Sequence, residues 1–184
     1  TFTDDTNGQW EFDTGSGFNA FSATTTSSLL LDSNNAAHKI RFVPNTNFNG
    51  TAAIKFRAWD QTTGIVGNTV NTTSTGTTTP FSTGEVTKTI TVNPINDEPT
   101  QTLQLVADRN EDVGSVTIAG FATTTKGGGS DENSQTLSFS LTNDNPGLFA
   151  AAPAIATNGT LTFTPNANAN GIATVTSVLT DNGA

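Results

Sequence analysis

The side chains of this chain that could do chemistry are mainly oxygen donors. Sixteen Asp and Glu residues outnumber seven Lys and Arg residues, which gives a formal net charge of −9 at pH 7. Carboxylate oxygens in loops suit a hard cation such as calcium, although most surface carboxylates are only solvated. The chain has no cysteine, so disulfides and thiolate metal sites are excluded. Of the kinds of chemistry considered, the composition therefore best suits the binding of a hard cation.

Residue types that support catalysis are sparse, and we predict that the chain is not an enzyme. His38 is the only histidine, and no serine or cysteine nucleophile motif lies near it. The triglycine at 127–129 lacks the Lys-Ser ending of a phosphate loop and is typical of a flexible turn. Lys55 and Lys88 could enter an intramolecular Lys-Asn bond, but outward or edge positions on their strands disfavour it.

One stretch of sequence occurs twice, and its fold must position the oxygen-donor side chains described above. Residues 42–60 read FVPNTNFNGTAAIKFRAWD and residues 163–181 read FTPNANANGIATVTSVLTD, which align without a gap at an offset of 121 residues. Phe, Pro, three Asn, Gly, Ala and the final Asp coincide. Each copy has room for a whole domain with its own core, so the repeat predicts two similar domains in tandem.

The repeated stretch predicts two strands joined by a turn. Proline at Phe-x-Pro ends the first strand, and Asn-Gly at 49–50 or 170–171 turns the chain because glycine takes a positive φ at little cost. In the first copy, apolar Ile54, Phe56 and Ala58 alternate with polar or larger residues, which is the period of a half-buried strand. We expect this strand pair to form the centre of each core.

The remaining sequence predicts an all-β protein with a boundary near residue 95. Thr, Asn, Ser and Gly dominate, and no segment has a helical period. Residues 61–84 form a long polar loop, residues 85–92 form a half-buried closing strand, and the Pro-bracketed residues 93–100 form a stiff link. The predicted domains are therefore 1–95 and 96–184.

The offset also indicates that each domain is truncated at its outer end. The first lacks its opening strands and the second lacks its closing strand, which predicts a longer natural array of such repeats. A neighbouring subunit could instead supply a missing strand.

The acidic charge disfavours nucleic acid and anionic lipid as partners. No apolar run approaches the length of a membrane span, so membrane insertion is not expected.

Three segments resemble the cadherin-like repeats of very large bacterial secreted or cell-surface proteins, which are often calcium-dependent adhesins. The segments are AHKIRFVPNTNFNGTAAIKFRAWDQTTG, TKTITVNPINDEP and LTFTPNANANGIATVTSVLTDNG. The resemblance implies tandem immunoglobulin-like Greek-key β-sandwiches, an extracellular or cell-surface location and a structural or adhesive role. The expected partners are neighbouring repeats, like subunits, and surface glycans or proteins.

The resemblance also implies calcium ligands near the domain junctions. Carried over by motif, the linker pair is Asn96 and Asp97, the second element is Asp131 and Asn133, and the third is Asp181. Asp60 and Glu111 would serve the junctions before the first domain and after the second. The linker lacks the family's first Asp, and fewer carboxylates mean weaker binding. Alternatively, Asn96-Asp97 forms an Asx turn, and Asp60 and Asp181 accept backbone N–H groups at strand ends.

Two further functions remain open from the sequence. A subunit of an extracellular filament would join its neighbours by strand exchange at the truncated ends. A carbohydrate-binding module would need an exposed aromatic row, for which Trp59 with Phe81 is the candidate pair. Coverage of Trp59 by the 61–84 loop is the expectation that competes with sugar stacking.

Overall fold

The computed structural model describes residues 2–183, which form antiparallel β-sheets and two short 3-10 helices. The all-β prediction is confirmed. The chain divides into two compact units, unit 1 ending at Pro94 and unit 2 beginning at Ile95, one residue before the predicted boundary. No helix among the described residues has both the length and the apolar character needed to cross a membrane.

The described part of unit 1 contains three sheets, whose strands range from two to twelve residues. Its strands are β1 (Phe2–Thr3), β2 (Gly8–Thr14), β3 (Asn19–Phe21), β4 (Ser28–Leu29), β5 (His38–Pro44), β6 (Gly50–Trp59), β7 (Thr69–Val70) and β8 (Phe81–Val92). The sheets have the orders β3-β2-β5, β1-β6-β8 and β4-β7. The central strand β6 is therefore paired along both edges, with β1 on one side and β8 on the other.

The core of unit 1 lies between β2 and β6. Trp10, Ala52 and Ile54 are buried there, and Phe42 and Phe56 pack against them. The Trp10 ring lies 5.2 Å from the Phe42 ring, and its indole N–H donates to the carbonyl of Asp4 at 3.1 Å. Burial of large aromatic side chains with a satisfied polar group supplies much of a small core's stability. Of the two strands predicted as the centre of this core, β6 supplies the buried Ala52 and Ile54, whereas β5 pairs with β2 and contributes only partly buried side chains.

Unit 2 contains shorter sheets. Its strands are β9 (Thr100–Leu103), β10 (Val116–Ile118), β11 (Ala122–Thr125), β12 (Ser138–Asn143), β13 (Phe149–Ile155), β14 (Leu161–Pro165) and β15 (Val175–Thr180), with 3-10 helices at Ser130–Ser134 and Pro146–Leu148. The sheet orders are β10-β14-β13, β11-β9 and β12-β15. The buried core consists of Phe121, Ala122 and Leu161, so it lies at β11 and β14 rather than at β15.

The turn inside the repeated stretch has the same geometry in both units. Gly50 and Gly171 have φ values of 132° and 145°, and Asn47 and Asn168 have φ values of 60° and 56°. The same backbone hydrogen bond closes the turn, from Phe48 to Asn45 and from Ala169 to Asn166. Positive φ is cheap for glycine and tolerable for asparagine, which explains why these residue types recur at these positions.

The structure corrects several details of the strand prediction. The closing strand β8 begins at Phe81 rather than at residue 85. It pairs only with β6, and Val86 and Ile90 are 54% and 39% exposed instead of half-buried in a core. Ala58, predicted on the buried face of β6, is also exposed. Alternation locates a strand, but it cannot show whether a second layer covers the apolar face.

The long loop predicted at residues 61–84 contains structure of its own. β7 within it pairs with β4, and the indole N–H of Trp59 donates to the Thr63 carbonyl at 2.8 Å. Phe81 is buried at the start of β8, opposite Trp59 in the register. The loop therefore packs on Trp59, and Phe81 does not offer a free ring face beside it.

Candidate cation site in unit 2

Three segments of unit 2 that are distant in sequence meet around the side chain of Asn96. The Asn96 amide oxygen accepts a hydrogen bond from the Gln135 amide at 2.7 Å, and its amide nitrogen lies 3.4 Å from Asp181 Oδ1. The backbone N–H of Gly183 donates to the same oxygen of Asp181 at 3.0 Å. The segment before β9, the 3-10 helix at Ser130–Ser134 with its cap, and the end of β15 are thus joined by polar side chains.

A buried carboxylate lies next to this network. Glu132 is only 2% exposed, although it belongs to a polar helix of five residues. Its Oε1 accepts the backbone N–H of Asp97 at 3.2 Å, and the Lys126 amine donates to the carbonyl of Asn133 on the same helix at 2.8 Å. Removing an ionised carboxylate from water is costly unless a charge or several donors compensate it.

Several oxygen atoms of this region are buried without a hydrogen-bond partner. They are Oε2 of Glu132, Oε1 of Gln135 and Oδ2 of Asp181. Buried polar atoms of native proteins are nearly always paired, so unpaired ones call for a missing partner. Because all of these atoms are acceptors, a water molecule or a cation would satisfy them, and carboxylate and amide oxygens are ligands that suit calcium.

The carboxylates are supplemented by amide oxygens rather than by further acids. Within residues 2–183, no group of three or more Asp, Glu, His and Cys side chains is arranged to hold a metal ion. The oxygens available around Asn96 are those of Glu132 and Asp181 together with amide oxygens. A site of low carboxylate number binds calcium more weakly than one rich in carboxylates.

Glycines bring the segments of the site close together. Gly127 has a φ of 100°, and a Cβ at this position would lie 2.7 Å from the Cβ and the carbonyl oxygen of Asp97. A Cβ at Gly183 would clash with the side-chain amide of Asn96. The triglycine segment, predicted as a flexible turn, thus also provides close backbone approach to Asp97.

The residues that the family resemblance implied as ligands fall into two groups. Asn96 and Asp181 are in contact, and the Asp97 backbone is bonded to the helix that carries Asp131 and Asn133. Asp131 is half-buried, whereas Asn133 is exposed.

The other two predicted ligands lie elsewhere. Glu111 is exposed in the segment between β9 and β10, and Asp60 lies in unit 1. The carboxylate of Asp60 accepts the backbone N–H of Thr62 at 2.9 Å and its hydroxyl at 2.7 Å. These bonds hold the pKa of Asp60 below its ordinary value of 3.8.

The sequence reasoning missed Glu132 and Gln135. They follow Asp131 in the run DENSQ and are three residues apart. A 3-10 helix has three residues per turn, so residues i and i+3 lie on the same face. The family motif selected positions 131 and 133, whereas the observed helix buries the side chain of Glu132.

His38 has turn partners in unit 1. The backbone N–H of Asp32 donates to its Nδ1 at 3.1 Å, and the Asn35 amide lies 3.3 Å from Nε2. Both ring nitrogens therefore face groups of the turn that precedes β5, which gives the histidine a structural role there.

Comparisons with protein-family models, with curated proteins and with solved structures give no match. The geometry of the chain and its internal repeat are therefore the basis for inferring its function.

Proposed function

We propose that the chain is a non-catalytic structural and adhesive module of a large bacterial extracellular or cell-surface protein, built from Greek-key cadherin-like units and stabilised by calcium in unit 2. The proposal that calcium binds in unit 2 rests on the buried, unpartnered acceptor oxygens of Glu132, Gln135 and Asp181. The proposal that the chain is a repeat module is supported by the turn that recurs in both units and by the two compact units in tandem.

The ligand set of the proposed site differs from the one that the resemblance implied. Glu132 and Asp181 supply the charge, Gln135 supplies an amide oxygen, and Asn96 positions the amide and the carboxylate through its two hydrogen bonds. Asp97 fixes the helix through its backbone. A cation held there joins the first segment of unit 2 to its last strand, which would restrain both ends of the unit.

The experiment that tests the proposal is thermal unfolding of the chain with calcium, with magnesium and with chelator at constant ionic strength. A ligand that binds only the folded state adds about 2.7 kcal/mol at a hundredfold excess over its dissociation constant. We expect calcium to raise the unfolding temperature of unit 2, and magnesium to do so less because it demands tighter octahedral geometry.

Glu132→Gln is the decisive variant, because it keeps the shape of the side chain and removes its charge. It should abolish the calcium shift without lowering stability in chelator, since it also removes an uncompensated buried charge. Asp60→Asn is the matched control, since Asp60 occupies the repeat position of Asp181 and bonds to Thr62. Retention of the full calcium shift in Glu132→Gln would exclude the site.

A second candidate function is a filament subunit assembled through strand pairing. The observation that favours it is the β12-β15 sheet, in which the described part of the chain pairs β15 along one edge only. The carbohydrate-binding alternative gains no support from the aromatic pair, since Phe81 is 9% exposed.

A further inference from the structure

Three positions of the chain carry the triplet Asn-x-Thr. They are Asn49-Gly50-Thr51, Asn71-Thr72-Thr73 and Asn158-Gly159-Thr160. When its middle residue is not proline, this triplet is the acceptor sequence for a sugar on the asparagine amide, and modified copies lie in surface loops. The triplet is short, so its occurrence alone selects none of the three copies. Their surroundings in the fold decide which one an enzyme can reach.

The triplet at Asn49 belongs to the central sheet of unit 1. Asn49 is half-buried, and Gly50 and Thr51 are the first two residues of β6. They lie opposite Val92 and Thr91 in the ladder with β8. Binding of this triplet to an enzyme would therefore require β6 to separate from β8.

The triplet at Asn158 is held in a tight turn against the core of unit 2. Its middle residue, Gly159, is buried, and the Gly159 N–H donates to the Ala156 carbonyl at 2.8 Å. The core residue Ala122 donates its N–H to the Gly159 carbonyl at 2.9 Å, and a Cβ on Gly159 would clash with the Ala122 carbonyl. An enzyme cannot draw this triplet into its own groove without breaking the turn.

The triplet at Asn71 is presented differently, because only its middle residue is buried. Thr72 is 4% exposed, whereas Asn71 and Thr73 are both exposed. The Thr72 N–H donates to the Thr25 carbonyl at 2.9 Å, its hydroxyl donates to the same carbonyl at 3.1 Å, and the hydroxyl oxygen lies 2.8 Å from Ser28 Oγ. Burial of Thr72 thus fixes the triplet on the surface of unit 1 and leaves the residues on either side of it in water.

The side chain of Asn71 leaves free the atom that would take the sugar. Its amide oxygen accepts the Thr73 backbone N–H at 2.9 Å and the Thr73 hydroxyl at 2.8 Å. In the described part of the chain, its amide nitrogen has no hydrogen-bond partner. Hydrogen bonds to the oxygen polarise the amide, which makes an N–H proton easier to remove. The nitrogen must lose a proton to bond to a sugar, so the observed contacts favour that reaction.

The segment around Asn71 is free of charge. Residues 61–84 contain no Asp, Glu, Lys or Arg, although the chain has a net charge of −9. Activated sugars carry phosphate groups, which an acidic surface repels. The hydroxyl and amide groups of this segment can instead donate to and accept from water and sugar hydroxyls. The segment is therefore a surface that an anionic sugar donor can approach.

We propose that Asn71 is an N-glycosylation site, at which a glycosyltransferase moves a hexose from a nucleoside-diphosphate sugar to the side-chain amide. The Asn71 Nδ2 atom bonds to the anomeric carbon, and the bond from that carbon to the diphosphate oxygen breaks. The nucleoside diphosphate leaves with the electron pair, and the amide gives one proton to a base of the enzyme. The site lies in unit 1 and needs no bound cation, so it is independent of the proposed calcium function.

The test compares each triplet in the folded chain with the same triplet in a free peptide. The enzyme is an N-glucosyltransferase that modifies all three peptides with UDP-glucose, and peptide mapping by mass spectrometry gives the rate of hexose addition at each asparagine. We expect Asn71 to react at least as fast in the full chain as in its peptide, because its triplet is exposed and already ordered. Asn49 and Asn158 should react at least tenfold more slowly than in their peptides.

Two outcomes of this comparison would overturn the proposal. One is an unreactive Asn71 in the folded chain when its peptide reacts normally. The other is equal slowing at all three asparagines, since the setting of Asn71 would then offer no advantage. The calcium shift of unit 2 is a separate measurement, so failure of either proposal leaves the other standing.

Asn71→Gln is the informative chain variant, because it keeps a side-chain amide but removes the acceptor asparagine. It should abolish hexose addition to this loop. Asn68→Gln is the matched control, since Asn68 is exposed in the same loop but is followed by Thr69 and Val70, which do not complete a triplet. It should leave the rate at Asn71 unchanged. Equal rates of hexose addition to this loop in the two variants would contradict the assignment to Asn71.

The attached sugar should leave the fold of unit 1 unchanged, because an N-linked asparagine keeps the carbonyl to which Thr73 bonds. Trp10 and Trp59 lie in unit 1, so their fluorescence follows its thermal unfolding. We expect the same unfolding midpoint for the modified and the unmodified chain. A lower midpoint after modification would show that the sugar disturbs packed residues, contrary to the exposed setting proposed for Asn71.

Discussion

The two copies of the repeated sequence fold their turn alike but differ in what surrounds the strand that follows it. In unit 1, β6 lies between two strands and contributes Ile54 to the core. In unit 2, β15 pairs with a single strand among residues 2–183, β12, and Val175 is 38% exposed. The Asp that ends each copy also has different hydrogen-bond partners. Asp60 bonds to Thr62 within a turn, whereas Asp181 bonds to Asn96. The repeat therefore specifies local conformation, while neighbouring strands decide burial and chemistry.

The largest expected contrast comes from truncating the equivalent apolar residues. Ile54→Ala should destabilise unit 1 by about 2–5 kcal/mol, because it leaves a cavity in a packed core. Val175→Ala should cost unit 2 less than about 1 kcal/mol, because the side chain is partly in water. The chain's two tryptophans, Trp10 and Trp59, lie in unit 1, so their fluorescence follows unit 1 in denaturant, and circular dichroism follows both units. Equal losses would show that Val175 is as well covered as Ile54.

A smaller contrast concerns the triglycine loop of unit 2 at residues 127–129. This loop lies outside the repeated stretch, so the repeat gives it no counterpart in unit 1. Gly127→Ala should destabilise unit 2 by about 2–3 kcal/mol, because a Cβ would both strain a positive φ and press on the Asp97 backbone. Gly114→Ala is the control, since Gly114 has a φ of 72° and open space around it, and it should cost about 1 kcal/mol. Chemical denaturation followed by circular dichroism measures both. If the two variants lost the same free energy of unfolding, the close approach of Gly127 to Asp97 would not contribute to stability.

The smallest expected effect is the pH dependence that Asp60 gives to unit 1. Its hydrogen bonds from Thr62 lower the pKa of Asp60 in the folded state below 3.8, so the ionised form stabilises the fold above that pH. This contribution is lost as the pH falls through the lowered pKa. Asp60→Asn should therefore reduce the urea midpoint of unit 1 slightly at pH 6 and by less at pH 2.5. A difference that grows on acidification would contradict this assignment.

The turn was predictable because its residue types are required by its backbone. Gly50 and Gly171 need positive φ, and the Asn-Gly pairs predict it directly. The exposure of Val86 and Val175 was not predictable, because alternation is the same whether or not another layer covers the face.

The candidate site was predictable in part. The resemblance to known repeats selected Asn96 and Asp181, which are in contact. Glu132 escaped because a five-residue 3-10 helix in a polar run has no periodic signal long enough to detect. Leu105, which follows β9, is fully exposed although its residue type is typical of a core. Sequence alone cannot distinguish apolar residues at the surface from those in a core.

The order of strands around β6 also determines how unit 1 responds to mechanical tension along the chain. Both β1 and β8 are antiparallel to β6, so they are parallel to each other. Tension applied between the start of β1 and the end of β8 would therefore load β6 in shear rather than unzip it from one end. Within residues 2–183, β1 is joined to β6 by two residue pairs, Phe2 with Lys55 and Thr3 with Ile54, so this short ladder would yield before the long ladder with β8.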